Sequence, residues 1–298
     1  MITALAILTD GLVYAAWLFV VAIGLSLIFG VMRILNVSHG AFYAFGAYAA
    51  ATAIGIWAER DLPTAGMYFA MAVAAIAMGL LMGYLLERLL LRRVYGKDEV
   101  VVVLVTYALF LILEDVLIII WGTDGKLAYQ PYIAAGNVIV GGLPLSIYDI
   151  GLVVVAGLLA YFASFAIRKT TFGRLLTAVI YDRETAAAFG VNVSRVFVLT
   201  FLVGAVLGAL GGALTAPKIS VVPGIGVEVI VLAFAVVAIG GMGSIEGALV
   251  GALIVGLFRA AAVHLAPALE LFVIYAVMAL VLVIRPYGLF TRAQPRKI

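Results

Sequence analysis

Apolar runs of about twenty residues recur from one end of this chain to the other, and they constrain its fold more than any other feature. Crossing a bilayer's hydrocarbon core as a helix takes about 20 residues. The runs predict spans at about 9–31, 40–57, 66–86, 100–121, 147–167, 195–216, 227–241, 246–265 and 268–284. In lipid the backbone satisfies its own hydrogen bonds only as a helix or a closed barrel, and the strand-like alternation of a barrel is absent. The expected fold is therefore an all-α polytopic membrane protein of eight to nine transmembrane helices. Composition agrees, with 66% hydrophobic residues, 11% charged residues and a mean hydropathy of +1.27. No linker or low-complexity segment divides residues 1–298, so one membrane domain is expected. The first run lacks a basic leader and a cleavage site, and it outlasts the apolar segment of a signal peptide, so it reads as a true span.

Charge placement carries more information than the net value of +3. Arg33, then Arg88, Arg92, Arg93 and Lys97, then Arg168, Lys169, Arg174, Arg183 and Arg195, then Arg285, Arg292, Arg296 and Lys297 all fall on one side of the nine crossings. Arg60, Lys126 and Lys218 fall on the other, and Arg259 lies within a span. The positive-inside rule makes the first group cytoplasmic, with the N-terminus outside and the C-terminus inside. The spans at 40–57 and 227–241 are short or interrupted by glycine. Making either re-entrant would move a basic loop outside, so they read as discontinuous helices that still cross. Between Gly122 and Tyr148 the turn signals GTDGK, Pro131, Asn137 and GGLP predict a folded outer loop.

On the basic side, residues 168–195 carry too much charge to enter a bilayer and must lie in water or against another protein. Phe172–Ile180 is predicted as a short amphipathic helix. Asp182 suits an N-cap for a second helix over Arg183–Phe189, which Gly190 would end in the left-handed conformation. Periodicity alone leaves two readings, a solvated connector or a helix that docks in a partner's groove.

Within the spans, two features stand out. The stretch Asn36-Val37-Ser38-His39-Gly40 sets polar groups at the end of the first span, just after Arg33. Arg33 can snorkel, and Asn36 and Ser38 can satisfy the broken backbone of a tight turn; alternatively these groups line the inner end of a substrate path. Small residues then recur at near-four spacing in Gly40, Ala44, Ala47, Ala51 and Gly55, in Gly204, Gly208 and Gly212, and in Gly247 and Gly251. Such stripes read as seams where helix backbones approach closely. Glu114 and Asp115 lie at a depth similar to that of Arg259, so either they pair across two helices or all three reach the outer headgroups. Lys218 and Glu228 flank Pro223-Gly224 at the expected outer mouth.

Enzymatic chemistry finds no support. The chain holds no cysteine, so thiolate catalysis and Cys-ligated metals are excluded. His39 and His264, the two histidines, have no partner at metal-ligand spacing, and no metal site is expected. There is no G-x-x-x-x-G-K-[ST], H-E-x-x-H or G-x-S-x-G.

Three blocks carry a resemblance. Asn36-Val37-Ser38-His39-Gly40 resembles the N-x-[AS]-H-G signature of branched-chain amino-acid ABC importer permeases. Gly240-Gly241-Met242-Gly243-Ser244, followed by Gly247-Ala248 and Gly251-Ala252, resembles the G-G-[LM]-G-S-x-x-G-A-x-x-G-A pattern of the same family. Glu184, Ala186, Ala187 and Gly190 lie within a stretch similar to the E-A-A-x-x-x-G loop of ABC importer membrane subunits, with Thr185 in place of the first Ala. The resemblance implies that Asp182, Arg183, Glu184, Ala186, Ala187 and Gly190 couple the chain to an ATPase. It also implies that Gly241, Gly243 and Ser244 join Asn36, Ser38, His39 and Gly40 along a substrate pathway. Further, it implies alternating access in a bacterial-type inner membrane, with a second homologous permease subunit in a heterodimer, two cytosolic ATP-binding subunits that hold ATP and Mg, and an extracytoplasmic substrate-binding protein. This chain itself would bind no cofactor and no nucleic acid. Relatives of that family also carry urea, short amides and aromatic acids. A self-contained transporter driven by an ion gradient is the rival reading, and it needs an ion site near the midplane.

Overall fold

The computed structural model describes residues 2–290. Arg292, Arg296 and Lys297 lie outside the described residues. Among those described, eight helices are long and apolar enough to cross a membrane, and two apolar helices, Thr171–Tyr181 and Ile225–Gly240, are shorter. In chain order the helices are α1 (Ile2–Met32), α2 (His39–Glu59), α3 (Ala65–Leu86), α4 (Arg92–Val94), α5 (Glu99–Trp121), α6 (Gln130–Ala135), α7 (Ile147–Lys169), α8 (Thr171–Tyr181), α9 (Arg183–Ala188), α10 (Val193–Thr215), α11 (Ile225–Gly240), α12 (Ile245–Leu265) and α13 (Glu270–Ile284). A π-turn over Glu87–Leu91 carries α3 into α4, and a 3-10 turn over Pro267–Leu269 leads into α13.

Loop contacts define two ends. At one end Arg183 reaches Met32, Tyr95 packs on Phe197, Arg168 pairs with Glu246, and Phe290 bonds to Gly240. At the other, His264 meets Asp10, Lys218 meets Asp149, and Lys126 bridges to Val221. The first is the arginine-rich end. The weakest expected span, α11, runs from one end to the other with 16 residues. At about 1.5 Å per residue it rises only ~24 Å, short of a ~30 Å hydrocarbon core.

The core is built by α1, α2 and α10, whose side chains are mostly buried, while α5, α7 and α13 turn most of theirs outward. Lipid supplies no hydrophobic drive between helices, so close backbone approach must hold them. The glycine seams do so. A Cβ on Gly212 would strike the Tyr43 carbonyl of α2, and one on Gly204 would strike Ile28 of α1. Gly247 and Gly251 of α12 face the Gly240 and Val236 carbonyls of α11. The α2 stripe is only partly a seam, because open space surrounds Gly55.

Two β-strands, β1 (Asn137–Val140) and β2 (Leu143–Ser146), form a hairpin in the loop where turn signals were read. Gly141 and Gly142 both have positive φ, which a two-residue hairpin turn requires.

Candidate functional site

At the arginine-rich end, the first polar block forms a sealed turn. Helix α1 stops where Arg33 adopts a left-handed φ of 55°, after its N–H reaches the Phe29 carbonyl at 2.8 Å. The turn closes through bonds from His39 N to Asn36 O at 3.3 Å and from Ala41 N to Ser38 O at 3.0 Å. Ser38 Oγ donates to Asn36 Oδ1 at 2.6 Å. This corrects the expectation that Asn36 and Ser38 serve the broken backbone, because they serve each other. The backbone is served by Thr106 of α5, whose hydroxyl accepts from Val37 N at 3.3 Å and lies 3.4 Å from Leu35 O. A threonine on the polar side of an apolar span gave no sequence signal for this.

His39 is fully buried where α1, α2 and α10 meet. Its Nε2 lies 3.1 Å from the Val21 carbonyl, a bond that requires the Nε2–H tautomer. Space for the ring comes from Gly24 and Gly208, where an added Cβ would lie 3.0 and 3.1 Å from its Cε1. The Gly204/Gly208 stripe is thus also a socket for an imidazole. One residue on, a Cβ on Gly40 would come within 2.5 Å of the Gly226 carbonyl, so α2 crosses α11 in backbone contact.

The second block packs on the last turns of α1. Gly241 and Gly243, with φ of 103° and 85°, form the turn between α11 and α12. Gly243 abuts Gly30, Ser26 Oγ donates to Ser244 O at 3.2 Å, and Ser244 Oγ caps α12 by accepting from Gly247 N at 3.0 Å. Ser26 and Ser244, 218 positions apart, therefore meet near the end of α1. Asn36, Ser38, His39 and Ser244 are all buried, and none of them lines the cavity described below.

The segment over residues 170–192 is rigidly punctuated. Thr170 caps α8 through Gly173 N at 3.1 Å, and Leu176 and Val179 form the buried face of α8. Asp182 then caps α9, accepting from Glu184 N at 3.0 Å and Thr185 N at 2.9 Å and from the Thr185 hydroxyl at 2.5 Å. The Thr185 hydroxyl and N–H, with the Glu184 N–H, hold the Asp182 carboxyl below its ordinary pKa. Thr185, the departure from the resembled loop, is therefore part of the cap. At the far end Gly190, with φ of 84°, closes a Schellman motif: Val191 N bonds to Ala186 O at 3.0 Å and Gly190 N to Ala187 O at 2.9 Å.

Among the expected coupling residues, only Ala186 is buried, while the exposed Arg183 reaches back to the protein with its guanidinium. Arg183 donates to the Met32 carbonyl at 2.9 Å and the Val31 carbonyl at 3.3 Å, and it stacks on Phe197 at 4.9 Å. A cation at the last carbonyls of α1 is favoured by the helix dipole. Asp182, Glu184, Ala187 and Gly190 are exposed. Beside them projects Phe189, 85% exposed, which the sequence reading did not single out.

Of the two readings for Glu114, Asp115 and Arg259, the pair across two helices does not form. Arg259 pairs with Glu270 and lies over the Tyr14 ring at 4.1 Å, because Glu270 begins the helix that returns beside α12. Glu114 instead accepts from Gly224 N at 2.9 Å. It caps α11, whose own N-cap residue offers no side chain. Asp115 is exposed, and Lys218 pairs with Asp149.

The family model for the branched-chain amino acid transport system, permease component, matches residues 7–282. The chain belongs to that family. This permease is 28% identical over 299 residues to the high-affinity branched-chain amino acid transport system permease protein BraD of Pseudomonas aeruginosa, covering 98% of this chain and 97% of the relative. It is equally 28% identical over 286 residues to LivH of Escherichia coli K12, covering 93% and 92%. In fold it is similar to a metal-chelate type ABC transporter solved in an inward-facing conformation, with a TM-score of 0.51, 16% identity, and coverage of 94% of this chain and 84% of that one. The permease is a multi-pass membrane subunit of an ABC transporter. A subunit of this kind works with ATPase and binding-protein partners and is not itself catalytic.

Proposed function

We propose that this permease is one half of the membrane domain of an importer for branched-chain or other small hydrophobic amino acids. It would cross a bacterial-type inner membrane with its arginine-rich end in the cytoplasm. Its partners are a second homologous permease subunit, two cytosolic subunits that bind ATP and Mg, and an extracytoplasmic binding protein. The observation that carries the reading is the capped segment over 170–192. Its exposed edge offers Phe189 and Glu184 to a partner, while Arg183 ties the same short helix to the end of α1. A push on α9 would pass through Arg183 to the end of α1, against which α10 and the turn between α11 and α12 pack. That junction is the hinge about which the bundle rocks in alternating access. The substrate class rests on family membership and on the names of BraD and LivH.

Proteoliposomes holding the whole assembly test the reading. Leucine uptake should require internal ATP, persist when ion gradients are collapsed, and be competed by valine and isoleucine but not by urea. Uptake that follows an ion gradient without ATP would overturn it.

A further inference from the structure

A cavity of about 200 Å³ opens at the arginine-rich end between α1, α5, α9 and the turn after α4. Arg33, Lys97 and Arg183 line it, with Glu99 as the one carboxylate in the wall. Among the described residues none of the three cations forms an ion pair. Burial and the facing Arg33 charge together hold the Arg183 guanidinium below its ordinary pKa. The rest of the wall is largely apolar and includes Phe29 and Val102. Beyond it, α5 exposes Val100, Leu104 and Tyr107 on a continuous outward strip.

We infer that this cavity binds the phosphate of an anionic phospholipid headgroup, with Arg33, Lys97 and Arg183 as its ligands and the acyl chains along α5. Basic pockets between helices on the cytoplasmic side suit such headgroups, and the apolar strip distinguishes a lipid from a soluble anion. Because Arg183 also holds α9 to α1, a bound headgroup would brace the same joint and couple lipid composition to its stiffness. The inference rests on the cavity and its charges and holds whatever solute is carried.

The test is native mass spectrometry of the assembled complex, titrated with phosphatidylglycerol and, separately, phosphatidylcholine. Phosphatidylglycerol should be retained at one site per copy of this chain that phosphatidylcholine does not fill, and millimolar inorganic phosphate should compete for it. The double variant Arg33→Gln/Lys97→Gln should bind it roughly 30-fold more weakly, from about fivefold per cation. The charge-conserving pair Arg33→Lys/Lys97→Arg should keep binding and thereby control for misfolding. Equal retention by the neutralised variant, or equal retention of the two lipids, would overturn the inference. So would inorganic phosphate binding at this site in a complex that retains no phosphatidylglycerol. Expulsion of the lipid when ATPase subunits join would also overturn it, assigning the three cations to a protein carboxylate.

Discussion

Thr106 shows how much one hydroxyl carries at the residue scale. It is fully buried and serves the broken backbone between α1 and α2. Thr106→Val keeps the shape but leaves the Val37 N–H unpaired, a loss of about 1–3 kcal/mol. Unfolding of the purified chain should show that loss, and Thr106→Ser should recover most of it. Asp182 makes a prediction in pH. Its carboxyl is held below the ordinary value in the folded state, so its cap is fully present above the ordinary carboxylate pKa. The cap is lost as pH falls through the lower folded value. Proteolysis of the 170–192 segment should therefore stay slow through mild acid and rise only below the range where a free aspartate titrates. Asp182→Ala should show the faster rate at every pH.

At the element scale, helix crossings are decided by individual backbone contacts. Gly40 and Gly226 let α2 and α11 touch, and any side chain at Gly40 meets a carbonyl. Gly40→Val should cost roughly 1–3 kcal/mol through overpacking. Gly55→Val, on the same stripe with open space around it, should be near neutral in the same thermal unfolding assay. The short helix α9 makes a different demand, because it must move as one piece with α1. Arg183→Gln removes the charged donor at the α1 carbonyls while leaving the Asp182 and Gly190 caps in place. ATP hydrolysis by the assembly should continue while leucine uptake falls at least tenfold, and comparing the two rates in one proteoliposome preparation checks it.

For the whole molecule, the two faces of α9 separate stability from assembly. Phe189 and Glu184 are exposed and face outward, so Phe189→Ser should leave the unfolding transition in place. It should release the ATPase subunits, as read by copurification from detergent. Arg183 faces inward, and its substitution should leave them attached. If both substitutions released the ATPase equally, the division of labour between the two faces would be wrong. The outward apolar surfaces of α5, α7 and α13 are what a bilayer or an apolar partner has to cover.

The sequence by itself determined everything that depends on length, local order and charge. The eight long apolar helices, the caps at Asp182 and Gly190, the glycine seams and the family blocks follow from spacing along the chain, because each is set by residues a few positions apart. Tertiary structure alone decided the partnerships. Glu114 and Arg259 share a depth, but depth along a helix does not say which way a side chain turns, and each found a nearer group in Gly224 and Glu270. The service of Thr106 to Val37, the socket that Gly24 and Gly208 make for His39, and the inward turn of Arg183 likewise join residues far apart in sequence. In an apolar chain every buried polar group must find its partner across helices. Which partner it finds depends on helix rotation and crossing, and these are set by packing rather than by any local pattern.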